Sequence, residues 1–194
     1  MKRVIAVCAF AVMAISGLAS AQEDTLQILN RPEVQSAILQ VSPLDLINWK
    51  VGDTMQYSLT IAAYGINGSM VKTVTKDEGT SIWVNQDMDL TVQKQNVQTQ
   101  INKADGKILK MIVNGQDQAV PDDKIEIVSQ DYTSITVAAG TFKAMHIVAK
   151  SAQITKLEAW VNPQATIMDG SLKEIVDAQG MEVVMELQSF KKGQ

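Results

Sequence analysis

One histidine occurs among the 194 residues, at position 146, and a Ser-His-Asp site would have to be built on it. Period-two alternation around it places His146 with Phe142, Ala144 and Val148, while Met145, Ile147 and Ala149 take the opposite face. No G-x-S-x-G elbow supplies a nucleophile, so His146 reads as a structural strand residue and no catalytic residue is nominated. The pairs Asp77-Glu78, Asp87/Asp89 and Asp122-Asp123 sit in or beside turns. A hard cation wants about six to eight oxygens, and no loop has calcium-binding spacing, so no metal site is expected. Two carboxylates assembled from distant strands for sugar hydrolysis would leave no local signature, and nothing nominates such a pair. No cofactor motif is present. Ten methionines are scattered rather than clustered with His or Cys. That pattern suits adaptable apolar packing or an apolar ligand better than copper.

The sole cysteine, Cys8, lies in an N-terminal stretch built like a secretory signal. Lys2 and Arg3 precede an apolar run over 4–15, and Ala19-Ser20-Ala21 offers the small residues a signal peptidase accepts. The apolar run, about 12 residues, is too short to span about 30 Å of hydrocarbon. Cleavage after Ala21 is expected, leaving a cysteine-free mature chain with no disulfide, no thiolate ligand and no transmembrane span. Cys8 sits too early to be the lipid-accepting residue of a lipoprotein. The expected destination is the periplasm or the exterior of a bacterial cell, as a soluble protein and not a lipoprotein. The net charge of -4 provides no basic field, which excludes nucleic acid as a partner.

Stepping along the chain, 30–41 places Pro32 at a first helical position and sets Val34, Ala37, Ile38 and Val41 at i, i+3, i+4, i+7. This predicts one short amphipathic helix within an N-terminal helical segment, 22–48. From 49 to 194 the period changes to two. Met55, Tyr57, Leu59 and Ile61 alternate with polar residues, as do Met181, Val183, Met185 and Leu187. Asn67-Gly68, Glu78-Gly79, Asp105-Gly106, Asn114-Gly115, Asp169-Gly170 and Gln179-Gly180 punctuate the segments between, predicting hairpins in a meander. The glutamine-rich stretch 92–101 reads as a solvent-wetted edge ribbon.

Roughly nine strands at about 4.8 Å would make a sheet about 40 Å wide, which a ten-residue helix cannot cover. The sheet must therefore curl. The expected fold is mainly β: a strongly curved antiparallel sheet, half-barrel or barrel, with a short N-terminal helix packed on it, signal at 1–21 and one domain thereafter. An incompletely closed curl leaves an apolar groove, and Tyr57, Leu59, Ile61, Met181, Val183 and Met185 are its candidate lining. Full closure would turn the same residues into filled core.

Residues 135–144, Ile-Thr-Val-Ala-Ala-Gly-Thr-Phe-Lys-Ala, followed by Trp160-Val161-Asn162-Pro163, Gly170 and the closing stretch 181–190, carry a resemblance. They look like a pattern of uncharacterised exported bacterial proteins with a V-x-A-G-T-F-x-A hairpin and a later W-x-N-P strand end, about the C-terminal third of the chain. That pattern resembles the curled sheet of the Lol-type lipoprotein carriers and receptors, which implies a cavity for acyl chains. The functional expectation is a non-enzymatic envelope protein holding a lipid, another apolar ligand or a hydrophobic peptide. The alternatives are a structural or protein-interaction module without a pocket, and a hydrolase whose residues the sequence does not identify.

Overall fold

Apolar and polar residues alternate through most strands of the computed structural model, which describes residues 49–90, 93–120, 126–151, 154–178 and 181–194. The strands are β1 (Thr54–Ile61), β2 (Ile66–Asp77), β3 (Ser81–Leu90), β4 (Gln93–Asn102), β5 (Ile108–Val113), β6 (Gln116–Gln118), β7 (Glu126–Val137), β8 (Gly140–Lys150), β9 (Lys156–Val161), β10 (Ser171–Ala178) and β11 (Met181–Lys191). All pair antiparallel in one sheet of order β6-β5-β4-β3-β2-β1-β11-β10-β9-β8-β7. Two meanders, β1 to β6 and β7 to β11, are thus sewn together by the first strand and the last. The β1–β11 seam sets Leu59 opposite Met185 and Tyr57 opposite Leu187.

This order forces the curl. Flat, the two edges of an eleven-stranded sheet lie about 48 Å apart at about 4.8 Å per strand. Yet β6 ends at Gln118 and β7 begins at Glu126 on the opposite edge, and eight Cα steps reach at most about 29 Å. Curvature is also visible where the β7–β8 hairpin tip folds back, its Ala139 N–H donating to Leu187 O of β11 at 3.3 Å. The sheet does not close, since β6 and β7 are not paired with one another. The fully closed barrel is therefore excluded, and the sheet is curled and open.

One expectation needs correction. The described residues contain no α-helix packed on the sheet; their only helical piece is the 3-10 turn Ala62–Tyr64. Residues 30–41, where the helix was expected, and the 1–21 signal lie outside the described residues, as does the rest of the 22–48 segment. Cover for the inward face comes instead from the β9–β10 connection, residues 162–170. It is a compact loop whose ends meet, Asn162 N–H donating to Gly170 O at 2.8 Å. Thr166, Ile167, Met168 and Asp169 of this loop are buried. Asn162 organises it: Oδ1 accepts from Ala165 N–H at 2.9 Å and Nδ2 donates to Lys143 O at 2.6 Å. A Cβ on Gly170 would collide with the backbone of Pro163 and Asn162, and its φ of 72° is left-handed, so the closure requires glycine.

Two smaller readings also change. Asn67-Gly68 is not a turn but lies inside β2, while the chain reverses through the 3-10 turn that Gly65 ends at φ 61°. The glutamine-rich stretch is not an edge ribbon: β4 is held between β3 and β5, and it buries Gln95, Val97, Thr99 and Ile101. Periodicity reported which side of β4 faces inward, but sheet order is not a property of one strand. The main core joins Met55, Tyr57, Leu59 and Ile61 to Met70, Val84, Met88, Val97, Val183, Met185 and Leu187, with Ile167 and Met168 of the loop inserted among them. Each such side chain contributes about 1.5–3 kcal/mol of burial.

Candidate functional site

Lys72 falls on the inward phase of β2 between Met70 and Val74, and Glu174 falls on the inward phase of β10 between Leu172 and Val176. Both are enclosed, Lys72 with 1% and Glu174 with 2% of its surface exposed. The loop delivers a third charge: Asp169, 3% exposed, meets Lys72 Nζ through Oδ2 at 2.5 Å. Ser171 ties the two carboxylates together, its N–H donating to Asp169 Oδ1 at 3.3 Å and its Oγ to Glu174 Oε1 at 2.6 Å. Tyr57 closes the group, donating to Ser171 O at 3.2 Å, with Lys72 Nζ 6.0 Å from its ring centre.

Burial dominates the electrostatics. It pushes Glu174 up to about 7, against the pull of the Lys72 ammonium and the Ser171 hydrogen bond, with Asp169 adding to the rise. Burial likewise raises the Tyr57 phenol well above its usual range, reinforced by Asp169 and Glu174. A neutral Glu174 leaves one ammonium facing one carboxylate, the charge balance a dry interior tolerates best.

Beside this cluster, at one end of the curl, a cavity of about 440 Å³ lies between Trp49, Asp53, the loop residues Pro163, Thr166, Ile167 and Met168, and Lys192–Gly193. Asp53 holds its floor, accepting from Lys50 N–H at 2.9 Å and from Gly193 N–H at 2.7 Å. Lys50, Gln164 and Lys192 also line it, so the wall is mixed: Trp49, Pro163, Ile167 and Met168 supply its apolar part, and two cations and Asp53 stand among its polar groups.

The candidate lining residues read from the sequence come together on the β1–β11 seam. Tyr57, Leu59, Ile61, Val183 and Met185 are all buried in the main core, and Met181 pairs with Ala178 at the start of β11. Tyr57, Leu59, Ile61, Val183 and Met185 do not line the 440 Å³ cavity. His146 stacks on Trp160 with ring centres 4.5 Å apart, its Nδ1 3.1 Å from Asp131 and its Nε2 3.6 Å from Glu158. Among the described residues Nε2 has no hydrogen-bond partner, so none of their hydroxyls stands where a nucleophile would. Lys72, Asp169 and Glu174 were missed by sequence reasoning. The available signal was a charged residue standing in phase with apolar neighbours, Lys72 in β2 and Glu174 in β10. Asp169, read as a turn carboxylate, gave none.

No protein-family model matches the chain, and no curated protein matches its sequence. Solved structures do resemble it. A hypothetical protein from Chlamydia trachomatis aligns with a TM-score of 0.50 at 10% identity, over 80% of this chain and 92% of its own. A beta-barrel-like protein from Brucella abortus, a domain of unknown function, aligns at 0.47 and 9% identity over 75% and 99%. A protein from Bacteroides fragilis described as exported, with a YmcC-like fold, aligns at 0.45 and 10% identity over 74% and 97%. The Chlamydia likeness supports the fold alone. None of the three is a Lol-type protein by its description.

Proposed function

We propose that this chain is a non-enzymatic exported protein that binds an apolar ligand at the open end of its curled sheet. The observation that carries this reading is the cavity of about 440 Å³ between Trp49 and the 162–170 loop, a volume within the range of small-molecule sites. Ile167, Met168 and Trp49 supply the apolar wall, and Lys50 and Lys192 suit a ligand with an anionic end. In this reading the seam residues Tyr57, Leu59, Ile61, Met181, Val183 and Met185 are the deeper lining of the same ligand site. The signal-like N-terminus supports export, and the Lol-type resemblance carried by 135–144, 159–163, Gly170 and 181–190 supports a lipid or hydrophobic peptide as the ligand class.

Native mass spectrometry of protein purified from its own cell envelope, together with titration of a fluorescent fatty acid, tests the reading. A lipid-sized adduct is expected, as is binding that Ile167→Asp weakens at least tenfold. Absence of both adduct and binding would sink it.

A second reading, a module that pairs through a sheet edge, has its own observation. β7 is a long edge strand bonded to β8 on one side, and it leaves Ile127, Val128 and Tyr132 exposed, the last at 83%. An extended segment of another protein could add to such an edge. A co-purifying protein released by Val128→Lys with Tyr132→Lys supports this reading, and a binding partner indifferent to both substitutions removes it.

A further inference from the structure

We propose that Lys72 and Asp169 are a site of autocatalytic covalent modification, in which the Lys72 side-chain amine and the Asp169 side-chain carboxyl condense to an intramolecular amide that fastens the 162–170 loop to β2. Four observations carry it. The reacting groups already touch, Nζ to Oδ2 at 2.5 Å, although 97 residues separate them. Both are enclosed, at 1% and 3% exposure, on the inward side of the curled sheet. The other oxygen, Oδ1, receives the Ser171 N–H at 3.3 Å. Asp169 is the last residue before the glycine that closes the loop, and the loop's own bonds hold it there.

The chemistry balances without any outside reagent. A proton passes from the Lys72 ammonium to Asp169 Oδ2, giving an amine and a carboxylic acid. The nitrogen lone pair then attacks Cγ, forming the C–N bond, and the negative charge developing on Oδ1 faces the Ser171 N–H. A second proton moves from the nitrogen to Oδ2, the Cγ–Oδ2 bond breaks, and one water leaves. Of the three ammonium hydrogens, two depart in the water and one remains on the amide.

Contact in a fixed orientation supplies the effective concentration such a condensation needs, of the order of 10⁵ M or more for well-aligned groups. Exclusion of water disfavours the return reaction. Glu174 is a positioning residue here: through Ser171 Oγ at 2.6 Å it orients the residue whose N–H faces Oδ1. Its raised proton affinity agrees with a site that tolerates no further negative charge.

Intact-mass measurement of the purified full chain, denatured just before analysis, tests the proposal. The expected mass is 18 Da below that of the linear polypeptide whose N-terminus has been sequenced, the 18 Da being one water. Proteolysis should then yield a branched peptide joining the segments around Lys72 and Asp169. Lys72→Arg, which keeps the charge, should show the full mass. Glu174→Gln should slow the appearance of the deficit in freshly refolded protein and leave its final size, one water, unchanged. Because the first reading uses the unaltered chain, it stands even if a variant fails to fold. Folded protein that retains its full mass after prolonged incubation, with separate Lys72 and Asp169 peptides, overturns the proposal.

Discussion

The buried group Lys72, Asp169 and Glu174 sets the residue-scale behaviour. Removing one partner of the Lys72–Asp169 contact leaves the other without compensation, so Lys72→Met should cost about 3–5 kcal/mol. In freshly refolded protein, before the Lys72–Asp169 amide closes, the double change Lys72→Met with Asp169→Leu should recover most of that, because both charges leave together. Urea titration of the three proteins checks this; a single change costing under about 0.5 kcal/mol would contradict it. Glu174 predicts a pH dependence of definite sign. Its folded value, about 7, lies above the ordinary 4.5, so across that window the native state holds a proton the unfolded chain has released. Stability therefore falls as pH rises from about 4.5 to about 7 and levels off above, by an amount on the order of a few kcal/mol. In Glu174→Gln that slope should vanish and the protein should gain stability at pH 8. Chemical melts at pH 5, 6, 7 and 8 measure both.

Among the elements, the 162–170 loop and the β7 edge behave oppositely. The loop is closed by its own bonds and sits in the core, so its tolerance to change should be that of a core segment and not of a connection. Gly170→Ala places a methyl group against Pro163 and Asn162 and asks alanine to hold a left-handed φ. A loss of at least about 2 kcal/mol is expected, read as a lower thermal midpoint together with faster protease cleavage within 162–170. A midpoint equal to that of the unaltered protein would show that the loop is not bound in as described. β7, by contrast, is exposed along most of its length. Thr133→Ala or Ser134→Ala there should shift stability by less than about 0.5 kcal/mol.

At the scale of the whole molecule, the pairing of first and last strands governs folding. β1 and β11 stand side by side though Thr54 and Lys191 lie at opposite ends of the described chain. Neither meander can bury its inward face before that seam forms, and contacts of such long sequence separation fold slowly. Deleting 182–194 should therefore abolish cooperative unfolding in the entire protein rather than fray one edge. A truncated chain that still melts in a single sharp transition by circular dichroism would show that the meanders fold independently.

The β class, the positions of most strands and the side of each that faces inward were legible from alternation alone, because a strand's two faces are fixed by its own pleat. Tyr57, Leu59, Val183 and Met185 were placed in the interior by that rule, whereas Lys72 and Glu174, buried in phase with apolar neighbours, were passed over. Sheet order was not legible: β4 looked like an edge from its glutamines, yet its neighbours come from other strands' hydrogen bonds. Nor could spacing reveal that a nine-residue connection, 162–170, would enter the core and carry Asp169 to Lys72. Local sequence sets which way a side chain points. What it meets there depends on how the two meanders curl together, and only the tertiary structure decides that.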